Sequence, residues 1–283
     1  MKRQQRASSR KAPRRNRSLT LLITLLAVVI LTGYCYRDTL YAYWDADVPP
    51  VDAPVEEPPS GTPADTEPPA AEEPPPVEKT SVYPPAPGEI LQLANGNDLL
   101  ALVTKETSLG QYKPTDLVTV PAEMRLYDVE YQLRAEAYQQ LRAMWEDAGA
   151  AGVDFFVNSA YRSYATQKRL FNNYAAKHGE AEANKFSARP GQSEHQLGTT
   201  VDVGIAGHVL TNSFGGTTPG RWLVENAHRY GFVLSYPKNS SEITGYIYEP
   251  WHFRYIGVDM AAAWRESGQI LCQYLAQQPQ QWQ

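Results

Sequence analysis

The chain has 283 residues with 31 acidic and 26 basic side chains, a net charge of −5. Eight of the bases lie in the first 17 residues, so the remainder holds 31 acids against 18 bases, a net charge of −13 that argues against a polyanion-binding protein. The two cysteines, Cys35 and Cys272, form no Cys-x-x-Cys pair, so any metal must be held by nitrogen and oxygen ligands.

The first 36 residues predict a membrane anchor. Residues 1–17 form a basic tail, and residues 18–36, SLTLLITLLAVVILTGYCY, carry no charge. About 20 apolar residues in a helix suffice to cross a bilayer. The positive-inside rule keeps the basic tail in the cytoplasm and exports everything after the span. A basic tail can also bind nucleic acid, but its position directly before an apolar span favours the topological interpretation.

Two other interpretations of this segment stay open. Signal peptides share the same basic start, although no small-x-small cleavage site follows the apolar stretch. Lipoprotein processing at Cys35 would require a small residue before the cysteine, where Tyr34 stands.

Residues 37–88 predict a disordered linker. From Asp45 to Gly88 the sequence is dominated by Pro, Glu, Asp and Ala and has almost no large aliphatic side chains. Such a segment cannot bury enough apolar surface to offset the entropy lost on ordering. Proline-rich chains favour extended geometry of about 3.1 Å per residue, so this one would reach on the order of 100 Å from the membrane. It is either a spacer of no particular purpose or one long enough to place the domain that follows it within a cell wall.

Residues 89–283 predict one globular α+β domain with a small antiparallel sheet flanked by helices, because no regular βαβ alternation appears. The predicted helices cover residues 131–152, 164–179, 219–231 and 258–275, and the predicted strands cover 153–159, 199–205, 231–237 and 245–257. In the second helix, Ser163 is the expected N-cap and Gly179 the expected C-cap.

The chemistry depends on two of the five histidines. His195 precedes Asp202 by seven residues, and His252 follows Glu249 by three in an extended segment fixed by Pro250. A hydrolytic zinc site needs three nitrogen or oxygen ligands, an open position for water and a nearby carboxylate. These four side chains supply that set, although His195 and Asp202 alone would more often be structural.

The remaining histidines are expected to be structural. His178 lies beside a helix-ending glycine, His208 lies in a glycine-flanked loop, and His228 lies inside a predicted helix. Trp251, between Pro250 and His252, is expected to pack near the site and to take no part in the chemistry.

Three segments resemble the VanY-type D-alanyl-D-alanine carboxypeptidases, the zinc peptidases of bacterial peptidoglycan. They are SAYRSYATQ at 159–167, ARPGQSEHQLGTTVD at 188–202 and TGYIYEPWHFRYIG at 244–257. The family pattern is Ser-x-His, six residues, Asp, then Glu-x-Trp-His, and every spacing occurs here. The likeness covers nearly the whole globular domain, from about residue 99. One departure is Thr200, where the family usually has alanine.

The resemblance implies a Hedgehog/D,D-peptidase-like fold in which His195, Asp202 and His252 bind Zn²⁺. It also implies that Glu249 is the general base, with Arg162, Ser193 and Gln167 in the substrate pocket. Each of the three pocket residues also has an ordinary structural interpretation: Arg162 as a surface cation, Ser193 as a loop hydroxyl, and Gln167 as a side chain that faces solvent.

The implied activity is removal of the C-terminal D-Ala from peptidoglycan stem peptides by a membrane-anchored enzyme outside the cytoplasm. An L,D-carboxypeptidase or a dipeptidase acting on the same wall peptides is an alternative with the same chemistry. A non-catalytic peptidoglycan-binding module with a structural zinc is an alternative of another class, but a structural zinc has no need of Glu249.

Overall fold

The computed structural model describes residues 83–283. Its strands are β1 Leu91–Gln92, β2 Thr107–Ser108, β3 Leu117–Thr119, β4 Gln132–Arg134, β5 Phe156–Ser159, β6 Thr200–Gly204, β7 Phe232–Leu234 and β8 His252–Tyr255. Its helices are α1 Ala135–Ala150, α2 Tyr164–His178, α3 Glu180–Ala183, α4 Thr218–Asn226, α5 Ser241–Thr244, α6 Val258–Ser267 and α7 Leu271–Ala276. Short 3₁₀ turns cover Ala122–Met124, Glu194–Leu197, Asn212–Gly216 and Ala227–Tyr230.

A four-stranded antiparallel sheet lies at the centre of the domain, with strand order β5-β6-β8-β7. Strands β6 and β8 are buried along their whole length. The register sets Asp202 opposite His252 and Val201 opposite Phe253. The predicted α+β class with a small antiparallel sheet flanked by helices is therefore confirmed.

Helix α1 packs its apolar face into the main core. Ala137, Leu141, Met144 and Ala148 are all 0% exposed and recur at the three- and four-residue spacing of one helical face. Truncating a fully buried leucine such as Leu141 to alanine costs about 2–5 kcal/mol in such a core. The helix therefore anchors the sheet that carries the site.

The predicted start of this helix at residue 131 is wrong. Residues Gln132–Arg134 form β4, which pairs antiparallel with β3. The Arg134 amide donates to the Gly198 carbonyl at 2.7 Å, and the Ala135 amide donates to Asp116 O at 2.9 Å. Leu133 is buried in the strand and belongs to the same core as the apolar face of α1. The helical spacing of apolar residues therefore extends into a segment that is a strand.

Helix α2 agrees with its prediction at both ends. The Ser163 hydroxyl accepts the Thr166 amide at 3.2 Å, which satisfies one of the free amides of the first turn. Gly179 follows the last helical residue with φ +83°, a conformation that favours glycine. The cap matters for the site, because Arg162 directly precedes Ser163.

Three other predicted elements are shorter or divided. The predicted helix at 258–275 is two helices, because Gly268 adopts φ +65° after α6. The predicted helix at 219–231 begins one residue earlier, at Thr218, as α4 and ends in the 3₁₀ turn Ala227–Tyr230. The predicted strand at 245–257 reduces to β8, since the chain around Pro250 is a turn.

The predicted basic tail, membrane span and all but the last residues of the predicted linker lie outside the described residues. Among residues 83–283, no helix is both long and apolar enough to cross a bilayer.

Candidate metal centre and active site

Three predicted ligands meet at the two inner strands of the central sheet. His195 comes from the 3₁₀ turn that leads into β6, Asp202 lies in the middle of β6, and His252 begins β8. His195 Nε2 lies 3.2 Å from Asp202 Oδ2, and His252 Nδ1 lies 3.2 Å from Asp202 Oδ1. One donor atom from each residue falls within 4.8 Å of the other two. The pairing of β6 with β8 is what brings Asp202 and His252 together.

These donor atoms fit a tetrahedral zinc ion. Bonds of about 2.0–2.1 Å at tetrahedral angles place neighbouring ligand atoms roughly 3.3 Å apart. Each histidine lies 3.2 Å from a different oxygen of Asp202, and one donor atom from each of the three residues falls within 4.8 Å of the others, so the group is of a size to hold the ion. Asp202 Oδ1 is buried and makes no hydrogen bond, although His252 Nδ1 lies close to it. A buried carboxylate oxygen without a hydrogen bond costs free energy unless a cation balances it.

The histidine rings are oriented by their outer nitrogens. His195 Nδ1 lies 2.7 Å from the Ala160 carbonyl, so Nδ1 carries the proton and Nε2 presents its lone pair. His252 is turned the other way, with Nε2 2.9 Å from Glu194 Oε2 and Nδ1 facing Asp202. A metal-bound histidine commonly donates its second ring N–H to a carbonyl or carboxylate in this manner.

The charges of the ligands respond to burial and to one another. Burial lowers the pKa of His195, which leaves the ring neutral and able to bind a metal. Burial alone would lower the pKa of His252 as well, but the Asp202 and Glu194 carboxylates raise it to about 10. Burial would raise the pKa of Asp202, but the two histidines hold it well below its usual range.

Glu249 lies beside the ligands, at the turn that leads into β8. Its Oε2 is 3.6 Å from His252 Nδ1, and its amide donates to the Tyr236 carbonyl at 3.1 Å. Glu249 is 8% exposed, and burial raises the pKa of its carboxyl to about 7. A carboxyl that titrates near neutrality can both accept and return a proton.

Arg162 and Gln167 form a hydrogen-bonded pair close enough to the centre for Arg162 to interact electrostatically with Asp202 and Glu249. Arg162 donates from Nη1 to Gln167 Oε1 at 2.9 Å and from Nη2 to Ser159 Oγ at 3.0 Å. Burial lowers the pKa of Arg162, an effect that Asp202 and Glu249 oppose, and a guanidinium stays charged in proteins. Gln167 is 1% exposed and donates its Nε2 to the Ala188 carbonyl at 2.7 Å. Its amide therefore positions Arg162.

Ser193 and Thr200 lie in the motif around His195. Ser193 is 5% exposed and precedes the 3₁₀ turn that presents His195. The Thr200 hydroxyl donates to the Glu194 carbonyl at 3.1 Å, so the departure from the family pattern adds a hydrogen bond to this turn.

The sequence reasoning missed Glu194, Arg254 and Ser235. Glu194 accepts hydrogen bonds from His252, from Ser235 Oγ at 2.6 Å and from Arg254 Nη1 at 3.0 Å. Burial would raise the pKa of Glu194, but Arg254 and the bonds from His252 and Ser235 lower it to about 2. The signal in the sequence was Arg254 itself, because it shares a strand face with His252 in an apolar strand and needs a buried partner.

Trp251, His178 and His208 lie where their structural interpretation places them, whereas His228 lies in the 3₁₀ turn Ala227–Tyr230 and not in an α-helix. Trp251 is 8% exposed and belongs to the main core cluster. The Tyr236 ring lies 4.7 Å, centroid to centroid, from the His252 ring and covers one side of it. His178 packs against Phe186, and His208 bonds Ser213. Within residues 83–283, no second group of His, Cys, Asp or Glu side chains is close enough to share a metal.

Two histidines, an aspartate and an adjacent carboxylate whose pKa is raised to about 7 form a set of side chains that suits a metal-dependent hydrolase. Comparison with known proteins gives the family. Residues 130–258 match the VanY family model, described as D-alanyl-D-alanine carboxypeptidase. The chain is 38% identical over 187 residues to the putative carboxypeptidase YodJ of Bacillus subtilis (strain 168), an alignment that covers 64% of this chain and 68% of that protein.

Solved structures agree with this match. The structure of the LdcB LD-carboxypeptidase superposes with a TM-score of 0.62 at 37% identity, over 65% of this chain and 89% of that one. A variant of the VanY D,D-pentapeptidase from a VanB-type resistance cassette, in complex with Zn(II), gives 0.53 at 31% identity, over 62% and 98%. The chain belongs to the VanY family of D-alanyl-D-alanine carboxypeptidases, and it is a zinc-dependent carboxypeptidase.

Proposed function

We propose that this enzyme removes the C-terminal D-Ala from peptidoglycan stem peptides and that His195, Asp202 and His252 hold its zinc. The observation that carries this proposal is the convergence of the three donor atoms within 4.8 Å, with the Glu249 carboxylate 3.6 Å from His252. A purely structural zinc would be closed by a fourth protein ligand and would need no base. The arrangement therefore favours a catalyst over a binding module.

The proposed mechanism assigns a task to each side chain. Zinc held by His195, Asp202 and His252 would lower the pKa of water toward about 7 and polarise the scissile carbonyl. Glu249 accepts the proton of the attacking water and delivers it to the amine of the departing D-Ala. The Arg162 guanidinium stabilises the negative charge that develops on the carbonyl oxygen, a contribution of about 3–4 kcal/mol for one such donor. Ser193 donates a hydrogen bond within the substrate pocket, and Gln167 holds Arg162 in place.

The test is an assay of D-Ala release by the purified protein, with and without a chelator. The substrates are a pentapeptide that ends in D-Ala-D-Ala and a tetrapeptide that ends in a single D-Ala. We expect metal-dependent release from the pentapeptide. Release that persists unchanged after complete removal of the metal would contradict the proposal.

An L,D-carboxypeptidase is the second candidate, and the likeness to the LdcB LD-carboxypeptidase favours it. The same assay separates the two, because an L,D-enzyme releases D-Ala from the tetrapeptide and leaves the pentapeptide intact.

We also propose that residues 18–36 anchor the enzyme in the cell membrane and that residues 37–88 are a spacer. Support comes from the eight cations before residue 18 and from the uncharged stretch of 19 residues that follows them. The catalytic domain would then lie outside the cytoplasm, next to its peptidoglycan substrate. Protease treatment of intact protoplasts should degrade the domain and leave the basic tail protected. Protection of the whole chain would contradict this topology.

A further inference from the structure

We propose that Glu194 is a positioning residue that, together with Arg254, fixes the proton of His252 on Nε2 and so turns Nδ1 toward the metal. This role rests on the proposed zinc-dependent function and adds a requirement to it. The metal site would then depend on a buried carboxylate and a buried guanidinium that do not touch the ion.

His252, Glu194 and Arg254 form one chain of hydrogen bonds. Glu194 Oε2 lies 2.9 Å from His252 Nε2, and Glu194 Oε1 accepts from Arg254 Nη1 at 3.0 Å. A carboxylate has no donor of its own, so His252 must supply the proton in this contact. In the neutral ring that binds a metal, the lone pair then lies on Nδ1, on the side of Asp202.

Arg254 holds the oxygen of the Glu194 carboxylate that does not contact His252. It is 0% exposed, and its Nη2 donates to the carbonyls of Leu99 at 3.0 Å and Ala101 at 2.6 Å. These bonds hold the guanidinium in one plane, so Glu194 meets a fixed donor. The segment around residue 100 thereby supports the metal centre without reaching it.

Stability alone is a poor explanation for this pair. A buried ion pair of good geometry is often no more stabilising than apolar side chains of the same volume, because each charge must be stripped of water. Outer partners of metal-bound histidines, by contrast, are commonly worth 10- to 100-fold in metal affinity.

A nearly isosteric substitution tests the idea, because Glu194→Gln replaces one acceptor by a donor. With the amide oxygen toward Arg254, the NH₂ group faces His252 Nε2 and drives the ring proton to Nδ1, where it blocks the metal. If the amide is reversed, its NH₂ group faces the Arg254 guanidinium, so two hydrogen-bond donors oppose each other. We expect the zinc affinity of the deprotonated site, obtained on the metal-free protein by competition with a chelator across a range of pH, to fall roughly 10- to 100-fold.

The double variant Glu194→Gln/Arg254→Met separates positioning from stability. Without the guanidinium, the amide can turn its oxygen to His252, and zinc affinity should recover by at least roughly threefold over the single variant. Thermal stability should fall further, because the Leu99 and Ala101 carbonyls lose their donor. A role limited to stability predicts the opposite order, with the double variant weaker in zinc binding than the single one.

A control outside the centre is Leu141→Ala, which destabilises the core and should leave zinc affinity unchanged. Wild-type zinc affinity in folded Glu194→Gln, or no recovery in the double variant, would overturn the proposal. Failure of the wild-type protein to bind zinc would instead overturn the proposed function, so the two failures are distinguishable.

Discussion

Zinc binding should displace one proton from His252 at neutral and mildly alkaline pH. The pKa of His252 is raised to about 10, whereas His195 is neutral and Asp202 is ionised over this range. A bound proton competes with the metal for the lone pair, so zinc affinity must rise with pH. One proton displaced per zinc corresponds to a tenfold change in affinity, about 1.4 kcal/mol, per pH unit.

A second proton contributes to the pH dependence of zinc affinity at lower pH. The carboxyl of Glu249, with its pKa at about 7, is partly protonated below neutrality, and a nearby dication favours its ionised form. The dependence of affinity on pH should therefore steepen below about pH 7, from one proton per zinc toward two. The variant Glu249→Gln should keep the single-proton slope throughout, because its amide does not titrate.

The assay is competition with a chelator of known affinity across this pH range. Calorimetry in buffers of different ionisation enthalpy counts the same protons independently. Between about pH 7.5 and 9, the proton lost from His252 should by itself raise affinity by roughly 30-fold, so we expect a rise of at least this size. A flat profile over that interval would refute the assignment of the proton to His252.

Three further predictions concern single side chains. Glu249→Gln should retain one bound zinc while D-Ala release falls by roughly 10²- to 10⁴-fold, the usual worth of a general base; turnover above a tenth of wild type would rule that role out. Gln167→Ala should lower kcat with little change in zinc affinity, because Arg162 loses an acceptor at 2.9 Å; an unchanged kcat would contradict the positioning of Arg162 by Gln167. Ser163→Ala should lower the free energy of unfolding by about 1 kcal/mol in chemical denaturation, since the Thr166 amide loses its cap; an unchanged midpoint would contradict the cap.

Where a local signal specified an element, the sequence predicted it well. Helix α2 has a serine cap at one end and a glycine at the other, and both lie where the sequence placed them. Strand β6 is confirmed for the same reason, because its β-branched residues fit a buried strand. The three predicted metal ligands also converge, since their spacing fits the turn before β6 and the pairing with β8.

Tertiary pairing accounts for most of what the sequence did not predict. Nothing local marks Gln132–Arg134 as a strand, because the partner β3 lies more than ten residues away. The break at Gly268 was missed because the apolar spacing continues on both sides of it. The pair of Glu194 and Arg254 was missed because the two residues are 60 positions apart. A buried arginine in β8 calls for a buried partner, but nothing within its own segment identifies Glu194 as that partner.

The central claim is the zinc centre itself, and anomalous diffraction at the zinc edge from crystals of the metal-loaded protein tests it most directly. We predict one peak about 2.0–2.2 Å from His195 Nε2, from a carboxylate oxygen of Asp202 and from His252 Nδ1. No peak between these side chains, or a zinc bound through His252 Nε2, would contradict it.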